Sequence, residues 1–193
     1  MPLIQVVLDD AGAVLNELDL IAVGTGPGNF TGIRIAVSAA RGLALGLDVP
    51  AMGVSGFQQI RGPEPDDTGR QLVSLRGARE GDCLVQLFEN GRESGAPRQV
   101  SIGGDGLHDI AAPCTILGYG AREIAFALNR AEDGADRGYR GIEGDIGPRA
   151  DRIALIARSR LLSGETGPPR PAPLYVRPAD AAPPKDPAPV LLP

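Results

Sequence analysis

The stretch from Asp19 to Gly53 holds most of the chemistry this sequence offers. Leu20-Ile21-Ala22-Val23-Gly24 is a short apolar run that suits a buried strand. It leads into a glycine-dense turn, Gly24-Thr25-Gly26-Pro27-Gly28-Asn29-Phe30-Thr31-Gly32, and then into a helical pattern. Strand, glycine turn and helix form a half-unit that many proteins set against phosphate. Glycines allow positive φ and close backbone approach, and a helix N-terminus presents unpaired N–H groups at a positive dipole end. Gly26, Gly28, Thr31 and Gly32 could therefore hold an anion. A tight strand-to-helix connection that binds nothing accounts for the same residues. No Gly-Lys-Ser/Thr follows, so this is not a Walker loop, and the full dinucleotide fingerprint is absent too. Arg34 and Arg41, farther along the helix, are either anion contacts or solvated charges.

Other chemistry is thin. Cys83 and Cys114 stand apart in sequence and His108 is the one histidine, too few ligands for a Cys/His zinc site. Both cysteines are expected to be structural or incidental. With no Cys-His pair and no Ser-His-Asp set, we expect no catalytic residue, no metal and no cofactor. Two further glycine clusters, Gly103-Gly104-Asp105-Gly106 and Gly118-Tyr119-Gly120, are weak candidates for a second phosphate loop. The net charge is −5, and the basic residues are 18 Arg and Lys185 without a visible stripe, which argues against strong RNA binding by this chain alone. The apolar runs are broken short of the roughly 20 residues a membrane span needs. Asp9 and Asp10 interrupt the first of them, so residues 1–14 do not read as a signal peptide. A cytoplasmic protein is the expectation.

The elements that must position these residues follow from periodicity. Leu3, Ile4, Val7, Leu8, Ala11, Val14 and Leu15 recur at helical spacing, which predicts an amphipathic helix over 3–15 that Gly12 weakens. A second helix over about 32–47 carries Ile33, Ala36, Val37, Ala40, Leu43, Ala44 and Leu47, with Gly46 and Pro50 at its end. A strand at 51–54 and a Ser55-capped helix to about Arg61 come next. The Pro/Asp/Gly stretch 62–69 is a candidate boundary between two lobes. Beyond it strands are predicted at 72–75, 83–88 (turning at Glu89-Asn90-Gly91), 97–102 and 115–118, and helices at 121–129 and 150–162. We therefore expect three segments: a first lobe at 1–62, a second lobe of mixed sheet and helices at 70–164, and a Pro-rich tail at 165–193, extended or disordered at its end. No internal repeat is visible.

Residues 19–35 resemble the signature of the TsaB (YeaZ) family, whose usual form reads G-P-G-S-F-T-G-L-R. Here Gly26-Pro27-Gly28-Asn29-Phe30-Thr31-Gly32-Ile33-Arg34 stands in that place. Ala39-Ala40-Arg41-Gly42-Leu43-Ala44 and the stretch from Val49-Pro50 to Val54-Ser55 are similar to the next helix and strand. Weaker matches are Ala78-Arg79, Gly118-Tyr119-Gly120-Ala121 and Pro173-Leu174-Tyr175-Val176-Arg177. Gly77 stands where an aspartate is usual, and Asp82-Cys83-Leu84 replaces E-V-Y. The related TsaD shares a G-P-G element, but its metal-binding histidines have no counterpart here.

The resemblance implies an α/β, actin/Hsp70/sugar-kinase-like (ribonuclease H-like) two-lobe fold. Family members open on a strand carrying I-D-T-S, then a hairpin. No such element precedes Met1, so the first lobe is expected to be N-terminally truncated, or the start set too late. The implied function is a non-catalytic scaffold in forming N6-threonylcarbamoyladenosine in tRNAs reading ANN codons. It would pair with a TsaD-like catalytic subunit or with itself, with a TsaE-like ATPase joining and tRNA met only through the complex. A glycoprotease label once attached to the family finds no nucleophile and base here. The apolar positions Leu8, Ala11, Leu15, Ile33, Val37 and Ala40 are the candidate partner interface. A phosphotransferase or ATPase of the same fold, and a degenerate truncated paralogue, are the alternatives.

Overall fold

The computed structural model describes residues 2–62, 69–130, 137–144, 149–165 and 169–176. Helix α1 (Pro2–Ala11) begins with proline at a first-turn position, where its missing N–H costs nothing. It ends at Gly12, φ 64°. The Gly12 N–H reaches the Asp9 carbonyl (3.1 Å) and the Ala13 N–H the Leu8 carbonyl (3.0 Å), the paired bonds of a Schellman stop. The predicted helix to residue 15 is thus too long. Leu15 belongs to a separate 3-10 turn, Leu15–Glu17.

Strand β1 (Ile21–Gly24), helix α2 (Phe30–Leu47) and strand β2 (Ala51–Val54) form one unit, with β1 and β2 parallel and Ile21 opposite Ala51. Asn29 caps α2, its Oδ1 accepting from the Gly32 N–H at 2.8 Å. Asn29 replaces the family's serine with another good capping residue. The helix runs through Gly46, the expected stop, and ends instead at Asp48, left-handed at φ 56°. Period-two alternation splits this sheet's residues between two helices. Ile21 and Val23 meet Ile33, Val37 and Ala40 of α2. Leu20, Ala22, Met52 and Val54 meet Ile153, Ile156 and Ala157 of α5 (Ala150–Leu162). Helix α5 lies within the stretch expected as the second lobe, yet it packs on the first sheet.

Helix α3 (Gly56–Arg61) starts at Ser55, which exchanges hydrogen bonds with Gln58 in a capping box. It buries Phe57 completely, worth about 2–3 kcal/mol by transfer. The second sheet has the order β5-β4-β3-β6-β7, from β3 (Arg70–Arg76), β4 (Asp82–Glu89), β5 (Arg92–Ser101), β6 (Cys114–Gly118) and β7 (Tyr139–Glu143). The β3-β4-β5 pairs are antiparallel, while β6 and β7 run parallel to β3. Asn90 and Gly91, both at positive φ, turn the hairpin tightly, so β5 starts at Arg92 rather than at 97. Strand β7 was not predicted. Its sequence, Tyr-Arg-Gly-Ile-Glu, is that of a half-exposed edge with too few apolar residues to show a period.

One face of this sheet packs on helix α4 (Ala121–Asn129) through Leu72, Val85, Ile116 and Ile124. The other face holds Val73 and Phe88 against Phe57 and Ile60 of α3 and Leu174 of the C-terminal stretch. The tail expected to be extended does run without regular structure at 169–176, but it is fixed in place, with Pro171 buried. The departure at Gly77 has a steric cause: a Cβ there would lie 2.7 Å from the Asp82 carbonyl oxygen.

Gly118 has φ 103°, and a Cβ would sit 2.2 Å from the Ser74 carbonyl oxygen across the parallel pair. Gly12 has φ 64° but open space around it. Gly118→Ala is expected to cost about 2–5 kcal/mol and Gly12→Ala about 1 kcal/mol. Urea unfolding of the two variants measures the difference.

Candidate functional site

The glycine-rich turn is held from three sides. On the β2 side, the Thr25 N–H donates to the Val54 carbonyl at 3.0 Å. Toward α3, the Gly56 N–H donates to the Gly26 carbonyl at 2.7 Å. From the C-terminal stretch, the Leu174 N–H donates to the Thr25 carbonyl at 2.8 Å. Gly26 has φ 95°, which favours glycine, and a Cβ on it would lie 2.6 Å from Ile33 Cδ1, whose side chain would have to shift. Gly28 has ordinary space for a side chain. Gly28, Thr31 and Gly32 are exposed, but the Gly32 amide is already bonded to the Asn29 side chain.

Arg34 takes part in the same clamp. Its guanidinium carbon lies 3.8 Å from the Phe30 ring centroid and 5.7 Å from that of Tyr175, and its Nε donates to the Tyr175 hydroxyl at 2.7 Å. Phe30 and Tyr175 rings are 5.2 Å apart. The stretch 26–34 that carries the resemblance and the weaker match at 173–176 are therefore in contact, which neither reveals alone. Arg177 lies outside the described residues.

The second glycine cluster sits in the corresponding place, between β6 and α4. Gly120, φ 63°, would clash with Ile102 if it carried a Cβ. The Arg122 amide in the first turn of α4 donates to Glu143 Oε1 at 2.9 Å, so a carboxylate of the chain itself already sits at this helix start. Gly104 and Gly106, both at positive φ, shape a turn after β5 in which the Gly103 N–H donates to Ser101 Oγ. His108 is exposed. Among the described residues no three His, Cys, Asp or Glu side chains group as metal ligands. Both cysteines are buried, and burial pushes the Cys83 thiol up and the Cys114 thiol to about 11.

The outward surface of the first lobe is apolar, but not at the residues singled out by periodicity. Val37 (2% exposed) and Ala40 cover the sheet, Leu8 is buried, and Leu15 and Ile33 are half-buried; of the six, Ala11 alone is exposed. The predicted stripe was the inner one, because periodicity finds the apolar face a helix buries against its own sheet. Ile35 (65%) and Leu45 (84%) on α2, and Leu3 (81%), Ile4, Val6 and Val7 on α1, face outward instead. Ala39, Gly42, Leu43, Gly46 and Leu47 line a groove of about 430 Å³ along α2, and a Cβ on Gly42 or Gly46 would meet nothing within 4 Å. Among the described residues α2 is the one helix whose length and apolar content would suffice to cross a membrane, contrary to the expectation that every apolar run is too short. Here its inner side covers a sheet.

The family profile "TsaD: tRNA N6-adenosine threonylcarbamoyltransferase" matches residues 1–93. An Escherichia coli relative named tRNA threonylcarbamoyladenosine biosynthesis protein TsaB is 35% identical over 95 residues, 47% of this chain and 41% of that protein. The chain thus spans less than half the length of that relative. A Bacillus subtilis protein of the same name is 28% identical over 168 residues, 83% of this chain and 71% of its own. Among solved structures, YeaZ from Pseudomonas aeruginosa superposes with a TM-score of 0.60 at 24% identity, over 90% of this chain and 81% of that one. A second Pseudomonas aeruginosa structure, of an uncharacterised protein similar to peptidase YeaZ, gives 0.63 at 23% identity, over 91% and 82%. These superpositions bear out the actin-like two-lobe fold.

Tyr175→Ala is expected to cost about 1–2 kcal/mol, through one ring contact and one hydrogen bond, and to speed hydrogen exchange at the Leu174 amide; Tyr175→Phe should lose only the smaller part. A second expectation concerns alkali. A thiol whose pKa is higher folded than unfolded adds stability below its unfolded value, near 8.5–9, and loses it as pH rises toward about 11. The urea midpoint should fall over that window, less steeply in Cys114→Val.

Proposed function

We propose that the chain is a member of the TsaB (YeaZ) family and the non-catalytic scaffold subunit of the machinery that forms N6-threonylcarbamoyladenosine in tRNAs reading ANN codons, a reading supported by its similarity to TsaB proteins. It pairs with a TsaD-like catalytic subunit, or with a second copy of itself, through the outer faces of α1 and α2. A TsaE-like ATPase joins the assembly. The chain meets tRNA only through the complex, in keeping with its net charge of −5.

The observation that carries this reading is the outer face of α2. Ile35 and Leu45 stand exposed beside a groove floored by Gly42 and Gly46. Two glycines inside a helix each weaken it by about 1 kcal/mol relative to alanine. They lower the ridge on that side, so another helix can approach closely and seat its own side chains in the groove. Leu3, Ile4, Val6 and Val7 on α1 are exposed apolar residues as well, and exposed apolar surface of this kind marks a protein partner. The anion reading of Gly26, Gly28, Thr31 and Gly32 is secondary to this: their turn positions α2, and Asn29 bonds the amide of Gly32. The phosphotransferase alternative would need both helix starts open to phosphate, and Asn29 and Glu143 stand at them.

Gly46→Leu separates scaffold from fold. A Cβ at Gly46 meets nothing within 4 Å and the rest of the leucine lies in the open groove, so thermal stability should hold or rise slightly, while co-purification with the TsaD-like subunit at micromolar concentration should drop at least tenfold. Failure of the unmodified chain to form any complex with that subunit, or with itself, would sink the scaffold reading. Binding to liposomes in place of either would assign the apolar face to a membrane. Calorimetry with ATP should give no heat for the isolated chain.

A further inference from the structure

Beside the C-terminal half of α2, a cavity of about 470 Å³ opens between the helix, the link into β2 and the C-terminal stretch. Its walls are Leu45, Val49, Pro50 and Pro171, with Gly42, Ala44 and Ala51 between them. Two lining side chains are polar, and both are guanidinium groups: Arg41 from α2 and Arg170 from a segment 129 positions away. Neither has an ion-pair partner among the described residues. A neighbouring arginine shows the contrast: Arg160 is bonded to Glu165 and donates to the Gly53 carbonyl.

The lining limits what could bind. The Val49 N–H is spent on the Ala44 carbonyl at 3.1 Å, the amides of residues 41–45 are inside the helix, and Pro50 and Pro171 have no N–H. A polyphosphate, which needs an array of backbone donors, finds no such array along 41–50 or at Pro171. Two forked cations over apolar walls match a single carboxylate on an aliphatic body. The nearest acid in sequence, Asp48, ends α2 outside the lining, and α2 itself carries no acidic residue. The volume is in the usual range for small-ligand sites, 300–1,000 Å³.

We propose that this cavity binds an aliphatic monocarboxylate, with Arg41 and Arg170 on the carboxylate and Leu45, Val49, Pro50 and Pro171 around the chain. The cavity shares Gly42 and Leu45 with the outer face of α2, but its test reads ligand binding by the chain alone and the scaffold test reads partner binding, so the failure of one is told from the failure of the other.

The test is an NMR titration of the full chain with octanoate, and with 1-octanol as the uncharged probe of the same length. Octanoate should give saturable shifts at residues 41–51 and 170–171, and bind at least tenfold tighter than octanol. Arg41→Ala and Arg170→Ala should each weaken octanoate about tenfold or more, the loss of one charge-assisted bond, and leave octanol unchanged. Both residues are exposed, so both variants should keep the wild-type fold by circular dichroism. No saturation up to about ten millimolar, equal affinity for octanol, or shifts gathered around Leu3 and Ile35 instead would each overturn the proposal.

Discussion

Where the chain bends between β1 and α2, three backbone hydrogen bonds and one aromatic clamp meet within a few residues. Thr25 is bonded to β2 through its N–H and to the C-terminal stretch through its carbonyl, and the Gly26 carbonyl holds the first amide of α3. The direction in which α2 leaves the sheet is therefore fixed by the chain that precedes it, the chain that follows it and the chain's far end together. Gly26 makes this possible because its missing Cβ lets Ile33 pack directly over the bend. Were the bend to open, α2 would lose its register on Ile21 and Val23, and the sheet its cover.

The same construction recurs across the molecule. A strand, a glycine corner, a helix and a parallel strand appear as β1–α2–β2 and again as β6–α4–β7. In each case an oxygen of the chain sits at the helix start, from Asn29 in one and Glu143 in the other. Glycine corners of this type can serve phosphate or packing. Here positive φ at Gly26, Gly118 and Gly120, with a backbone carbonyl 2.2 Å from where a Cβ on Gly118 would lie, accounts for three of the glycines without a ligand. The corners work as joints that aim helices, and α2 is aimed with one side on the sheet and the other outward.

That division explains why α2 is apolar nearly all round. A helix covering a sheet needs one apolar stripe; this one has a second, exposed, with small residues at its centre. No neighbour among the described residues comes within 4 Å of where a Cβ on Gly42 or Gly46 would lie, and in a helix interior glycines are costly. A helix partner gives them a use, which is why the scaffold reading draws more of its support from this surface than from the glycine turn.

Much of this was legible from the chain alone. Periodicity placed β1, β2, α2, α3, α4 and α5 within a few residues, because burial of one face imposes a repeat that sequence records. It also gave the glycine bend, and with it the family resemblance. What it could not give was which apolar stripe of α2 is inner and which is outer, since both are apolar and only the position of the sheet tells them apart; hence Val37 and Ala40 were read as partner-facing. It missed β7, whose half-exposed edge has no period, and the end of α1, where one glycine outweighed a continuing apolar pattern. Above all, it could not bring Tyr175 to Arg34 or Arg170 to Arg41. The nearness of residues more than a hundred positions apart leaves no trace in local spacing, and only the closed chain brings them to one place.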